Sequence, residues 1–314
     1  MLKTYRILQG RLEAVDGGAM SPDSAGRFWL DLLSPDFDER SRIETERGVK
    51  LPNMADLREI EATSRFFVDG GGIHLRTWFL ESRGDRLAAH SVGFILSDDC
   101  LISLRSEPSA SFDLLDQWRK LGSGADGPMG VFLRLVEIQL DRIADRLEGI
   151  YAEVEAHWPG GEIMGTEELQ AEMGQVSRMG ANNNKARFAL MDLELVLAAL
   201  DREETTPVPL RHRLDAVRRD AGSLLNHAGF ISEKLDFLMD SVMTRINLAD
   251  NRVSKILSVV ALVFLPPTLI GSIYGMNFHH MPELAYSWGY PAVLMAMAAS
   301  AVIPYLLLKW RRWL

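Results

Sequence analysis

Between Ile256 and Leu308 the chain carries a single charged side chain, Glu283. That interval holds ILSVVALVFLPPTLIGSIY from Ile256 to Tyr274 and GYPAVLMAMAASAVIPYLLL from Gly289 to Leu308, each uncharged throughout. A helix needs about 20 apolar residues to cross the hydrocarbon core of a bilayer, so both runs are expected to span a membrane. Two buried core helices are the alternative, and the length and unbroken apolarity of the runs argue against it. The short link makes the pair a helical hairpin with a small loop on the far side. Arg252 and Lys255 precede the first run, Lys309, Arg311 and Arg312 follow the second, and the loop has neither Lys nor Arg. Basic residues favour the cytoplasmic side, which places both termini there and the loop outside. Trp288, Tyr290, Trp310 and Trp313 stand at the ends of the runs, where interfacial aromatics sit.

Residues 1–250 read as a soluble acidic protein, and the whole chain of 314 residues has a net charge of -9. An acidic balance with no basic stripe argues against nucleic acid as a partner. Cys100 is the only cysteine, which excludes an intramolecular disulfide and a thiolate metal cluster. The opening MLKTYRILQGRLEAV lacks the apolar core of a signal peptide, so this part is expected to stay in the cytoplasm. Gly122–Gly127 matches G-x-G-x-x-G, but it follows the helical FDLLDQWRKL and precedes Pro128. A dinucleotide loop needs a strand before it and a helix after it, so this segment reads as a linker. HExxH, G-x-S-x-G and paired cysteines are absent from the sequence, and His74, His90, His157, His212 and His227 are scattered. An enzyme is not expected.

The soluble part divides by pattern. Phe28–Leu32 reads as a strand closed by Ser34-Pro35-Asp36, a helix start. Ser64–Val68 and Ile73–Leu80 flank Asp69-Gly70-Gly71-Gly72 as a hairpin, and His90–Leu96 and Cys100–Arg105 form a second. Leu133, Val136, Leu140, Ile143, Leu147, Ile150 and Val154 then step by three and four, the seam of a long helix. A second helix spans roughly Glu167–Leu200. Leu214, Val217, Ala221, Leu224, Ala228, Ile231, Leu235, Leu238 and Val242 keep the same spacing, and no proline occurs between Pro209 and Pro266. One helix is therefore expected from about Leu210 into the membrane, on the order of 80 Å at 1.5 Å per residue. The fold class is α+β: a cytoplasmic domain with a small mixed or antiparallel sheet and helices, a long stalk helix, and two transmembrane helices. The expected divisions are an α/β domain at 1–125, a helical hairpin at 126–205 and the stalk with the first span at 208–274, its membrane part from about 254. An external loop follows at 275–288, then the second span at 289–308 and a basic tail at 309–314.

Polar residues inside lipid are tolerated only where they face protein or a water-filled cavity. Asn251, Ser254, Ser258, Thr268, Ser272 and Asn277 therefore ask for a shared interior, which copies of the first span in a ring would supply. Asn251, Ser254, Thr268 and Asn277 are separated by 3, 14 and 9 residues, which puts them roughly on one helical face. The plainer reading is that Ser and Thr bond back to their own helix, and for Thr268 both readings stand. Asn presents a neutral carbonyl oxygen that suits a hydrated hard cation, and Mg²⁺ keeps its water shell. Leu257, Val260 and Leu265 lie between, where an apolar stretch closes a pore by dewetting.

YGMNFHHMPEL, preceded by VFLPPTLI and followed by SWGYP, resembles the signature of the CorA family of divalent-cation channels. The resemblance extends through the long helix, the aromatic and basic C-terminus and the stretch Ile60–Thr63, close to the CorA proteins of Gram-negative bacteria. It implies a homopentamer in the inner membrane, with a funnel-shaped cytoplasmic domain and a pore lined by the first span. Gly275, Met276 and Asn277 are then the outer selectivity ring, and Asn251 the polar ring at the cytoplasmic side. Leu257 and Leu265 become the hydrophobic gate, Thr268 an inner hydration ring and Asp240 a pore-facing acid on the stalk. Glu283, His279 and His280 belong to the external loop. The family is gated by cytoplasmic Mg²⁺ held between subunits by acids, and Glu59 with Asp215 is the candidate pair. Arg58 stands where relatives carry an acid, which puts that site in question, and a solvated salt bridge is the competing reading.

The implied activity is Mg²⁺ influx, with Co²⁺ and Ni²⁺ as further permeants. His279-His280 depart from the acid usual after the Gly-Met-Asn-Phe stretch, and imidazole suits Zn²⁺, Ni²⁺ or Co²⁺. A Zn²⁺ transporter resembling the ZntB branch, with proton coupling, is the alternative. A membrane sensor or scaffold that does not conduct is a third reading.

Overall fold

The computed structural model describes residues 1–15, 26–53, 65–118, 126–157, 165–203, 208–276 and 286–311. Seven strands and six helices lie among these residues. The strands are β1 (Leu2–Leu8), β2 (Arg11–Ala14), β3 (Arg27–Leu33), β4 (Phe66–Asp69), β5 (Gly72–Arg83), β6 (Arg86–Leu96) and β7 (Cys100–Arg105). The helices are α1 (Phe37–Arg47), α2 (Ala110–Trp118), α3 (Pro128–Ala156), α4 (Thr166–Arg202), α5 (Val208–Tyr274) and α6 (Gly289–Trp310). The chain packs as two compact units, one of Met1–Gly161 with Gly174–Met239 and one of Glu162–Met173 with Asp240–Leu314.

In the first unit the strands form one sheet in the order β2-β1-β3-β7-β6-β5-β4. Every neighbouring pair is antiparallel except β3 and β7, which run parallel with Phe28 opposite Cys100. The sheet is thus larger than the hairpin patterns suggest, and mixed. Its central strands are buried on both faces, as the alternation of β3 shows. Phe28, Leu30 and Leu32 join Ile43 of α1 and Ile102 and Leu104 of β7 in one core. Trp29, one step out of phase, joins Phe112 and Phe132 in the other. A side-chain period of two delivers successive residues to opposite faces. Asp36 begins α1 with a capping box, its carboxylate accepting from the Glu39 N–H at 2.8 Å.

The side of Trp29 also holds a buried polar network. Asp31 accepts from Arg105 Nη2 at 2.8 Å and Nε at 3.1 Å, and from Ser103 Oγ at 2.9 Å. Trp29 Nε1 donates to Ser103 Oγ at 3.0 Å, and the Arg105 guanidinium lies 4.4 Å from the centre of the Phe112 ring. The ion pair of Arg65 with Asp192 is buried likewise and ties the start of β4 to α4.

The seam expected in α3 is buried from Leu133 through Val154. In α5 the residues Leu214, Val217, Ala221, Ala228, Ile231, Leu235 and Leu238 are buried, and Leu224 is half-buried. Asn183 of α4 donates from Nδ2 to the Ala228 carbonyl at 2.9 Å and to Ser232 Oγ at 2.8 Å, fixing α4 against α5.

The turn between β4 and β5 rests on one glycine. Gly72 has φ of 133°, and a Cβ placed on it would stand 2.4 Å from the Leu96 carbonyl oxygen. The obstacle is backbone of the neighbouring strand and cannot rotate away. Gly72→Ala is expected to destabilise the first unit by about 2 kcal/mol, read as a lowered midpoint in thermal melts of the full chain followed by circular dichroism. Gly48→Ala serves as the comparison, since its φ is 65° and nothing lies within 4 Å of its added Cβ.

The second unit holds the apolar part of α5 together with α6. Both helices are long and apolar enough to cross a membrane, and none of either apolar stretch is buried. Core helices of a soluble protein would be mostly covered, so the core-helix alternative fails. Val259, Val263, Pro266, Pro267 and Ile270 are half-buried on one side of α5. A Cβ on Gly271 would meet the Met297 side chain of α6 at 3.5 Å, an ordinary contact. Arg245 donates to Glu172 at 3.2 Å, tying α5 to the start of α4 within this unit.

Candidate functional site

The candidate site is a stripe along α5. From Asp240 the steps of three and four run through Thr244, Asn247 and Asn251, all exposed. The same steps continue through Ser254 and Ser258 and, after a gap of seven residues, resume through Leu265, Thr268 and Ser272, also exposed. Residues spaced three and four apart share one face of a helix. A helix chosen for lipid alone would carry apolar side chains on every face, and this one does not.

Three hydroxyls on the stripe, those of Thr244, Ser258 and Thr268, donate to their own helix. Thr268 Oγ1 bonds to the Phe264 carbonyl at 2.7 Å and Ser258 Oγ to the Ser254 carbonyl at 2.9 Å. This is the back-bonding pattern of Ser and Thr in helices. It uses the hydroxyl hydrogen and leaves the oxygen lone pairs as acceptors. Water held around a cation points its hydrogens outward, so a back-bonded Thr presents the right polarity to a hydrated ion. The two readings of Thr268 are therefore compatible. Pro266 and Pro267 sit inside the helix without breaking it. Lacking N–H groups, they remove the helical donors of the Leu262 and Val263 carbonyls.

The remaining residues expected from sequence are distributed as follows. Asp240 and Asn251 lie on the stripe and are exposed, and Thr244 Oγ1 donates to the Asp240 carbonyl at 2.8 Å. Leu265 is on the stripe, and Leu257 is on its flank one residue before Ser258. Gly275 and Met276 directly follow α5, with the Gly275 N–H donated to the Gly271 carbonyl at 2.9 Å. Asp215 is half-buried in the first turns of α5. Asn277, His279, His280, Glu283, Arg58 and Glu59 lie outside the described residues. Thr244 and Asn247 escaped the sequence reading. Their signal was present, because the alternation of three and four that carries Asn251 through Ser254 to Ser258 also runs backward from Asn251 through Asn247 to Thr244.

Acidic clefts occur in the first unit. One cavity of about 240 Å³ is lined by Glu137, Asp141, Asp220 and Ser223. Burial pushes the Glu137 carboxyl up, but hydrogen bonds from Arg213 and Arg134 outweigh it and hold the group below its ordinary range. Asp141 is raised, first by burial and then by the carboxylates of Glu137, Asp145 and Asp220 acting against Arg134. Another cavity of about 560 Å³ lies beside the Asp69–Gly72 turn. Its Asp69 is already engaged by the Gly71 N–H at 2.8 Å and by His74 Nε2 at 3.0 Å. Among the described residues, no group of three or more His, Cys, Asp or Glu is placed to hold a metal ion.

An α/β domain joined to two bilayer-length helices, the first bearing a polar stripe, defines an integral membrane protein with a large soluble part. The family profile described as "CorA-like Mg2+ transporter protein" matches residues 24–311. The chain belongs to the CorA family. It is 36% identical over 317 residues to the magnesium transport protein CorA of Yersinia pseudotuberculosis serotype I, covering 100% of both chains. Among solved structures it resembles the CorA magnesium transporter of Methanocaldococcus jannaschii, with a TM-score of 0.76 at 17% identity over 98% of this chain and 97% of that one. It also resembles the ZntB cytoplasmic domain of Vibrio parahaemolyticus, with a TM-score of 0.61 at 13% identity, covering 78% of this chain and 97% of that one. At those identities the two structures show a shared fold.

Proposed function

We propose that this chain is a subunit of a homo-oligomeric Mg²⁺ transporter of the inner membrane, in which copies of α5 surround the conduction path. The observation that carries the reading is the polar stripe on an otherwise lipid-compatible helix. Magnesium enters through the relatives, which match end to end and are named for magnesium transport. The chain is thus read as a transporter and not an enzyme.

In the finer reading the assembly is a pentamer with both termini in the cytoplasm. Gly275, Met276 and Asn277 meet the hydrated ion at the outer mouth, with Glu283 in the same loop. Thr268 and Asn251 hold its water shell further in, Leu257 and Leu265 close the path when it empties, and Asp240 receives the ion below. Co²⁺ and Ni²⁺ follow the same route. Cytoplasmic Mg²⁺ acts as the regulator, with Glu59 and Asp215 as the candidate ligands. The divisions at 1–125, 126–205 and 208–274 correspond to sensing domain, helical arms and conducting stalk.

One sequence feature favours a second reading. His279 and His280 offer imidazole nitrogens where a magnesium path needs oxygen, which suits Zn²⁺ carried with protons. Flux into liposomes separates the readings. The full chain is reconstituted with an entrapped Mg²⁺ dye or Zn²⁺ dye, with and without a pH gradient. Mg²⁺ uptake that ignores the gradient is expected. Proton-dependent Zn²⁺ uptake without Mg²⁺ uptake establishes the second reading instead, and absence of any flux points to a non-conducting sensor.

A further inference from the structure

Asn247 lies seven residues after Asp240 and seven before Ser254, and the same period goes on to Ala261 and Thr268. All five are exposed, and four of them carry a side-chain oxygen. Of the seven lines with that period along this part of α5, this is the one without a large apolar side chain between Asp240 and Thr268. An exposed Asn is ordinary beside water; the period is what sets Asn247 apart. A straight α-helix drifts about 20° per heptad, so a line held at seven residues keeps one heading only where the helix winds left-handed around its neighbours. The back of α5 is meanwhile taken by its own copy. Arg245, about 200° around the helix from Asn247, donates to Glu172 of α4 at 3.2 Å, and Val242 is buried. The line through Asn247 therefore faces away from the packing of its own subunit.

We propose that Asn247, one from each copy, is a specificity-determining residue of the conduction path: a ring of carboxamides that carries the hydrated cation between Asn251 and Asp240. The proposal rests on the reading of the chain as an oligomeric cation transporter. At 1.5 Å per residue, Asp240 and Asn251 lie about 16 Å apart along the helix, and Asn247 falls about 10 Å into that interval. Thr244, in the same interval, has its hydroxyl hydrogen committed to the Asp240 carbonyl at 2.8 Å. Water bound to a cation directs its hydrogens outward, and the Asn carbonyl oxygen accepts them through two lone pairs. Mg²⁺ gives up its waters reluctantly, so a neutral acceptor passes the whole shell along, whereas a carboxylate at this depth would detain it. An ion that sheds its shell readily gains less from such a ring, which favours a small, strongly hydrated divalent cation.

Measurements on the full chain in liposomes test this. Asn247→Leu, close in size and without an acceptor, is expected to slow Mg²⁺ uptake about tenfold, the equivalent of a barrier raised by ~1.4 kcal/mol. Asn247→Asp adds a charge in every copy, and is expected to lower both the Mg²⁺ concentration for half-maximal uptake and the maximal rate. Unchanged uptake in Asn247→Leu, or unchanged concentration dependence in Asn247→Asp, overturns the proposal. A leucine that merely disturbed packing would also slow uptake, so Asn247→Cys tests the lining separately. Burial pushes the thiol of Cys100, the chain's own cysteine, up to about 12, so the introduced thiol is the reactive one. A thiol reagent bearing a trimethylammonium group is expected to block uptake by Asn247→Cys and to leave the unaltered chain unaffected. Modification seen by mass without a block overturns the ring. If the unaltered chain takes up no Mg²⁺, the transporter reading itself falls. If it does take up Mg²⁺ and the Asn247 variants behave like it, only the Asn247 ring falls.

Discussion

Asn277→Ala is expected to abolish Mg²⁺ uptake while leaving the protein folded and oligomeric. Asn277 opens the stretch after Gly275 and Met276, at the mouth of the proposed path. A dehydrated Mg²⁺ is costly, so the ion arrives with its waters and needs acceptors for their hydrogens. A hydrogen bond to a charged group contributes about 2 kcal/mol, so one lost acceptor slows passage about 30-fold. A ring repeats that loss in every copy. Alanine keeps the backbone and removes only the amide, so size-exclusion profile and helical content should match the unaltered chain. Mg²⁺-dye uptake into liposomes is the readout, and unchanged uptake removes Asn277 from ion selection. Replacing His279 and His280 together by Ala is the informative companion. Under the magnesium reading it leaves Mg²⁺ uptake intact, and under the zinc reading it removes Zn²⁺ uptake.

The membrane helices and the long helix were legible because their signals are local. A run without charge and a step of three and four can be counted without knowing what packs against them. The burial of Leu133 through Val154 in α3 follows that count closely. The sheet was harder, because its parallel pair joins Arg27–Leu33 to Cys100–Arg105 across a long separation in sequence. Hairpin turns announce antiparallel neighbours, and no local signal announces a crossover. The first hairpin was missed for another reason. In Leu8-Gln9-Gly10-Arg11 the turn places Gln9 at φ of 45° and Gly10 at 76°. Gln is an uncommon residue at positive φ, so the turn lacks the usual Asn-Gly mark. The stripe on α5 was half legible. Its membrane part stood out because polar residues are rare there. Thr244 and Asn247 did not, since each is unremarkable beside water until the register is carried back from Asn251.

Asp31→Ala is expected to give the largest loss of stability among single substitutions in the first unit. Asp31 and Arg105 have side chains only 3% exposed, and two hydrogen bonds join them. Removing the carboxylate leaves a guanidinium in the core facing Phe112, and breaking a buried pair from one side typically costs about 3–5 kcal/mol. For a unit of this size that corresponds to a fall of about 10 °C in the melting midpoint, measured by circular dichroism on the full chain in detergent. The double variant Asp31→Leu with Arg105→Met separates the pair's worth from the penalty of an orphaned charge. Two apolar side chains of similar volume remove both charges together, and buried pairs replaced in that way are often neutral. The double variant should therefore melt above Asp31→Ala. If instead it melts as low or lower, the carboxylate's contribution lies in what it organises: Ser103 Oγ donates to Asp31 and accepts from Trp29 Nε1, so losing Asp31 also loosens the tryptophan at the centre of the sheet.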